Sequence, residues 1–458
     1  MAERFEIVEK ALLKMLEDKK YATLRDILTT MNPADVAALF DGLEDKQIPI
    51  LFRLLTKEQA AETFVEMEPD AQELLIRGFS DNELKEVLDE LYVDDAADLV
   101  EEMPANVVKR ILKNADPEMR SSINQILRYP EYSAGSIMTT EYVSLRPTMT
   151  VEEAILRIRR QGVDKETIYT CYVTVGRKLI GLVTVKDLLL AEDDEMKIED
   201  IMITNLISVT THTDQEEVAM MFSKYNFLAL PVVDKENRMV GIVTFDDAMD
   251  VMEEEATEDI EMMAGMTPSE KTYLKSTPID LFKNRIPWLM LLMVSATFTG
   301  LIITAFEGAL AAQVALTAFI PMLMGTGGNS GSQSSVTIIR ALSLDEVEFK
   351  DIFRVLWKEI RTAMMCGIAL GLVCFVKIWL IDRMLMGNYD ITLMVDAVVC
   401  LTLAVTVVLA KLVGCSLPMI AKVMHLDPAV MASPFISTIV DAVSLLVYFM
   451  FAKMLLGV

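Results

Sequence analysis

Hydrophobic and polar positions change their rhythm twice along the chain. Up to about residue 130, apolar residues recur at i, i+3 and i+4 behind a series of helix-start signals. The signals are Asn32-Pro33, Thr56 before Lys57-Glu58, Ser80-Asp81, Asp94-Asp95 and Asp116-Pro117. This pattern predicts short helices stacked as hairpins, an all-α solenoid over residues 1–132. Over 133–252 the period shortens, and β-rich runs alternate with amphipathic helices. A polar bridge, 253–285, leads to five apolar spans at about 286–306, 310–342, 362–381, 393–420 and 429–456. Each meets or exceeds the ~20 residues that cross a bilayer as a helix. The expected fold class is therefore multidomain: an all-α helical-repeat N domain, an α/β pair, and an α-helical membrane domain (286–458) with five spans.

The middle region repeats itself. Residues 136–138 (Ser-Ile-Met) match 200–202 (Asp-Ile-Met), 150–154 match 214–218, and 177–184 match 237–244. Both copies end in Gly-x-x-Thr-x-x-Asp, at Thr184/Asp187 and at Thr244/Asp247. The region resembles a tandem pair of CBS domains. That resemblance implies a regulatory module paired across a pseudo-twofold, with adenine nucleotide such as ATP as its ligand. It makes Thr184, Asp187, Thr244 and Asp247 the residues to face ribose and phosphate. Plain dimerisation is the competing role for such a pair.

Charge divides the chain more sharply than hydropathy does. Residues 286–458 hold 11 acidic and 10 basic side chains, which leaves 57 acidic and 32 basic in residues 1–285. Nearly all of the net −26 thus belongs to the polar part. Such a surface repels nucleic acid and anionic lipid and attracts cations. The acid density peaks across the bridge, where Asp247, Asp250, Glu254, Glu258 and Glu261 share one helical face. Like charges at these spacings destabilise a bare helix, so a cation-neutralised surface is expected there. The five cysteines, at 171, 366, 374, 400 and 415, form no CxxC and no regular ladder, which argues against a disulfide framework or a zinc site. The N-terminus is charged and amphipathic with no h-region, so no cleaved signal is expected.

Two features are expensive at membrane depth. The first is GTGGNSGSQSS, residues 325–335, in the second span. Its glycines let the backbone leave helical geometry or pack at close range. Its amide, hydroxyl and any freed carbonyl oxygens are neutral ligands. The second is Asp441, near the middle of span five, in a polar stripe with Ser433, Ser437, Ser444 and Tyr448. No basic residue is expected at its depth, since Lys377 and Lys411 fall nearer their span ends. A carboxylate with neutral oxygens suits a hard divalent cation and suits neither an anion nor copper or zinc. No HExxH or GxSxG is present, so no enzyme is expected. Basic residues cluster before span one, between spans two and three and between four and five. The positive-inside rule then places the N-terminal part in the cytoplasm and the C-terminus outside, in a multi-pass plasma (inner) membrane protein.

Taken together, Gly-Gly-Asn-Ser-Gly-Ser-Gln at 327–333, Leu-Asp-Pro-Ala at 426–429 and the run from Ser433-Pro434 to Asp441 resemble the MgtE family of magnesium channels and transporters. One departure is Ser433, where relatives often carry asparagine. The resemblance implies a homodimer in the lipid bilayer with its pore on the twofold axis. Asp441 of both protomers would hold hydrated Mg2+, with Gly328, Asn329 and Ser437 completing the pore set. It also implies a bridge helix that plugs the pore when cytosolic Mg2+ is high. The regulatory ligands would be Asp94, Asp95, Asp247, Asp250, Glu254, Glu255, Glu258 and Asp259, partnered at span ends by Glu359 and Asp427. A CBS-regulated channel or carrier for Mn2+, Co2+ or Ca2+ is the alternative.

Overall fold

A computed structural model describes residues 2–457 apart from 270–272, 275, 388, 390 and 432. It divides into two compact units, 1–252 and 253–458. The first unit opens with ten helices, from Ala2–Glu17 to Pro117–Ile126. Four of the five start signals act as caps. Asn32 accepts from Ala34 N, Thr56 from Gln59 N, and Asp116 from Glu118 and Met119 N, while Ser80 and Glu83 close a capping box. Asp94-Asp95 does not cap. The helix Val93–Glu102 starts behind Tyr92 with no side-chain cap, and both aspartates fall in its first turn. There the helix dipole offsets only part of the cost of burying their charge, and the Asp95 carboxylate accepts from the backbone N–H of Tyr92. Leu24, Leu28, Phe40, Leu75, Leu84 and Ile111 are buried along the stack. Gln59 donates to Leu28 O and Gln72 to Phe64 O, so amides tie one repeat to the next.

Two three-stranded sheets follow, in the orders β1-β2-β3 and β4-β5-β6. β1 (Tyr142–Leu145), β2 (Thr167–Val175) and β3 (Lys178–Thr184) form the first, and β4 (Val209–Thr210), β5 (Ala229–Val233) and β6 (Met239–Thr244) the second. In both, the first pairing is parallel and the second antiparallel, as a duplicated unit requires. Tyr172, Met239 and Ile242 are fully buried in a shared cluster with Leu179 and Val233, which joins the two halves. The acidic helix starts at Phe245, directly after β6, and stops at Met263.

In the second unit, four segments are long and apolar enough to cross a membrane: Pro278–Ala305, Phe349–Leu385, Leu393–Val423 and Pro428–Leu456. The fifth expected span is the helix Ile320–Ser343, 24 residues long. It is too polar to count with the other four among the described residues. The first long helix begins at Pro278, earlier than its apolar run, because Thr277 and Asp280 form a capping box there. Helices Ile320–Ser343, Leu393–Val423 and Ser433–Leu456 enclose a core of Leu323, Val395, Leu403, Leu445 and Phe449, and Phe449 stacks on Phe306 at 4.7 Å.

Candidate functional site

The glycine-rich motif is helical from end to end. Its glycines serve close packing and not a backbone break. A Cβ on Gly331 would meet Ala410 O at 3.1 Å, one on Gly327 would meet Thr406 Cγ2 at 2.8 Å, and one on Gly414 would meet Gly331 O at 2.2 Å. The last contact is backbone against backbone, so two helices cross there at a separation only glycine permits. Gly327, Gly328 and Gly331 therefore sit on the buried side, while Asn329 and Gln333 are exposed on the other. Asn329, Ser332, Gln333, Val336 and Thr337 line an open groove of about 590 Å³.

Asp441 projects from the helix Ser433–Leu456, half-buried, one turn beyond Ser437. A Cβ on Gly328 would lie 3.2 Å from Ser437 Oγ, so the motif and the carboxylate-bearing helix touch at this level. The polar stripe divides. Ser444 is buried and donates to Val440 O at 2.6 Å, and Tyr448 is buried and donates to Leu316 O at 2.9 Å. Those two are internal glue, whereas Asp441 has no hydrogen-bond or ion-pair partner among the described residues. The side chain of Ser433 lies outside the described residues. Lys411 is buried within the helix Leu393–Val423, nearer its C-terminal end, and pairs with Ser334 and Glu359. Glu359 is thus engaged by Ser334 and Lys411.

One such cluster lies within the first unit. Single carboxylate oxygens of Asp94, Glu141 and Glu166 all lie within 4.8 Å of one another. Asp94 is buried, and among the described residues neither its Oδ1 nor the buried Oε2 of Glu166 has a hydrogen-bond partner. Glu141 Oε2 is fixed by Val93 N at 3.2 Å and Thr139 Oγ1 at 3.1 Å, and Glu166 N donates to Glu141 O. Burial, followed by the charge of Asp247, drives the Asp94 carboxyl well above its ordinary range. Burial and then Asp247 push Asp95 up to about 7, and burial and then Asp95 push Glu166 up to about 8. Asp247 rises to about 6, chiefly by burial, although Thr244 bonds to it. Lys165 offsets part of the charge at Glu141, and the all-oxygen donor set with orphaned buried oxygens fits a hard divalent cation. Glu141 and Glu166 were not expected. Glu166 had one signal: the register Val173/Val233 aligns it with Asn226 of the second repeat, so the acid is specific to one copy.

A second acidic group lies in unit 253–458. Burial, then Glu255 and Asp427, raises Glu258, and burial, then Asp427, raises Asp259. Ser343 Oγ donates to Asp259 at 3.4 Å, and Met262 and Met263 pack on Ile339 and Ala429. Gly265, at φ +71°, abuts Pro434, with a Cβ there 2.9 Å from the ring. The end of the acidic helix thus rests on the C-terminal turns of the motif helix and on the segment before Asp441's helix. Glu254 is exposed, and the charge of Asp250 acts on both Glu66 and Asp247. In the repeats, Thr184 and Asp187 close a capping box, with Thr184 Oγ1 also donating to Asp187 at 2.6 Å, and Thr244 Oγ1 donates to Asp247 at 2.5 Å. Each signature pair is therefore first of all a helix start.

Residues 31–132 match the family described as the MgtE intracellular N domain, 134–194 and 198–254 match CBS domains, and 320–451 match MgtE, a divalent cation transporter family. The chain is 36% identical to the magnesium transporter MgtE of Thermus thermophilus over 97% of its own length and 98% of that protein's. The chain belongs to the MgtE family. The MgtE of Bacillus subtilis is 33% identical, with 96% and 95% covered. Among solved structures, the cytosolic domain of the Mg2+ channel MgtE in complex with ATP superposes with a TM-score of 0.51 at 38% identity, covering 53% of this chain and 99% of that one. The soluble part of a magnesium transporter gives 0.51 at 30% identity, covering 55% and 99%. MgtE relatives are named as transporters and not as enzymes.

Proposed function

We propose that this MgtE chain is a homodimeric Mg2+ channel that imports the ion and closes when cytosolic Mg2+ rises. The observation that carries the reading is Asp441: a carboxylate in an apolar helix, with no counter-charge among the described residues, beside the Gly328 level of a groove-lining polar helix. A bare carboxylate at that depth is tolerated where it meets water and a cation. Mg2+ dehydrates reluctantly, so Asp441 of each protomer holds it through its water shell, with Asn329, Ser437 and the Gly328 backbone offering further oxygens. The names of the relatives matched over nearly the whole chain, magnesium transporters, support the choice of ion.

Gating follows from the acidic groups. Without cation, Asp94, Asp95, Glu141, Glu166 and Asp247 repel one another, as do Glu255, Glu258, Asp259 and Asp427. Bound Mg2+ neutralises them and favours the compact state, in which the acidic helix holds the pore helices shut. Adenine nucleotide at the CBS pair is a second input, supported by the ATP-bound relative. The same reading keeps the acidic unit in the cytoplasm and the C-terminus outside. Asp441→Asn tests it: Mg2+ flux into liposomes should vanish while the protein stays folded, and wild-type flux would sink the pore assignment. Equal flux of Mn2+, Co2+ or Ca2+ through the wild type would replace Mg2+ selectivity with a general divalent path.

A further inference from the structure

Three polar side chains behind the groove have no part in the ion path described above. Ser334 and Lys411 are 2% and 6% exposed. Ser334 Oγ donates to Glu359 Oε2 at 2.7 Å, Lys411 Nζ donates to Ser334 Oγ at 3.1 Å, and Lys411 Nζ lies 4.0 Å from the same Glu359 oxygen. The three residues come from three helices: Ile320–Ser343, Ile352–Lys377 and Leu393–Val423. On the motif helix, Ser334 stands about 140° around the axis from Asn329. It faces inward where Asn329 and Gln333 face the groove. Immediately beside it, Gly331 packs on Ala410 O and on Gly414, which bracket Lys411 in sequence.

Glycine contacts set how closely two helices approach, but they are smooth and do not fix rotation. A hydrogen bond that must reach two charges does fix it. A buried ion pair adds little to net stability over an apolar replacement, and its best-attested use is to specify one register among several. An isolated lysine or glutamate at this depth would be strongly unfavourable, so neither is there by default.

We propose that Glu359, Ser334 and Lys411 are positioning residues, a charge-paired clip that fixes the rotation of the motif helix so that Asn329 and Gln333 face the groove. The link to conduction rests on the reading of that groove as part of the ion path, whereas the clip itself does not. The test therefore measures rotation and conduction separately, on the full-length protein in liposomes. Rotation is the ratio of labelling rates of Asn329→Cys and Ser330→Cys by a membrane-impermeant thiosulfonate, read at the introduced cysteine by peptide mass. In the otherwise wild-type chain, position 329 labels at least about tenfold faster, being exposed while 330 is buried. The neutral double variant Glu359→Gln/Lys411→Met leaves no uncompensated charge and should insert normally. Its ratio should fall about tenfold, and Lys411→Arg, which keeps charge and donors, should retain the wild-type ratio. A wild-type ratio in the double variant overturns the proposal, because glycine packing alone would then set the rotation. A lowered ratio in Lys411→Arg as well would overturn it in favour of simple packing volume. If the ratio falls in the double variant while Mg2+ conduction per molecule is unchanged, the clip stands and the groove is not on the ion path.

Discussion

Asp95→Asn offers a quantitative handle on the acidic cluster proposed to sense cation. Asp95 is held up to about 7 from an ordinary 3.8, first by burial and then by the charge of Asp247. The folded state therefore disfavours its ionised form. The penalty is absent below the ordinary value and fully present above pH ~7. A shift of about 3 units at ~1.4 kcal/mol each sets a ceiling of ~4 kcal/mol. Partial exposure and sharing with its neighbours reduce that to ~2 kcal/mol. Asparagine is isosteric and neutral, so the variant of unit 1–252 should be about 2 kcal/mol more stable than wild type near pH 8 without divalent cation. For a unit of this size that is roughly 4–8 °C in Tm. The gain should shrink steadily toward pH ~4. Saturating Mg2+ should stabilise wild type strongly and the variant less, because the variant has lost a ligand charge. Thermal melts at two pH values, with chelator and with Mg2+, decide it. A variant no more stable than wild type near pH 8, or an advantage independent of pH, would refute the reasoning.

Three further outcomes are expected. Gly414→Ala drives a Cβ to within 2.2 Å of a backbone oxygen, so the two helices must part; a loss of ~1–3 kcal/mol or more should appear as lower thermal stability in detergent, with Gly308→Ala, where nothing lies within 4 Å, as the silent control. Thr184→Ala removes a capping box and should cost ~1 kcal/mol whether or not nucleotide binds. Loss of any ATP-dependent rise in Tm in the same variant would add a ligand role, and an unchanged rise would leave only the cap. Neutralising Glu258, Asp259 and Asp427 together should relieve the need for cation at that group, so the Mg2+ concentration on the face bearing the acidic unit that halves the current should move; an unmoved midpoint would free the acidic helix of any sensing role.

How legible all this is from sequence varies with the range of the physics. Local codes read well: Asn32, Thr56, Ser80 and Asp116 cap the helices they announce, and the two copies of the Thr-x-x-Asp signature close their sheets in the same way. Asp94-Asp95 misleads because an aspartate in the first helical turn looks like one at the cap, and only the backbone of Tyr92 distinguishes them. The motif glycines leave two options open from sequence. The partner, Gly414, decides for packing, and it lies 83 residues from Gly331. Glu141, Glu166 and the Glu359–Ser334–Lys411 clip are long-range pairings with no periodic signature, so spacing arguments could not reach them.

The central claim is that Asp441 meets the permeating ion. The direct measurement is single-channel current through the full-length protein in liposomes, with Mg2+ the sole permeant cation and its concentration varied on the face bearing the acidic unit. The account predicts unitary Mg2+ currents in wild type that disappear as Mg2+ on that face rises, and none in an equally inserted Asp441→Asn. Wild-type currents through Asp441→Asn would contradict it.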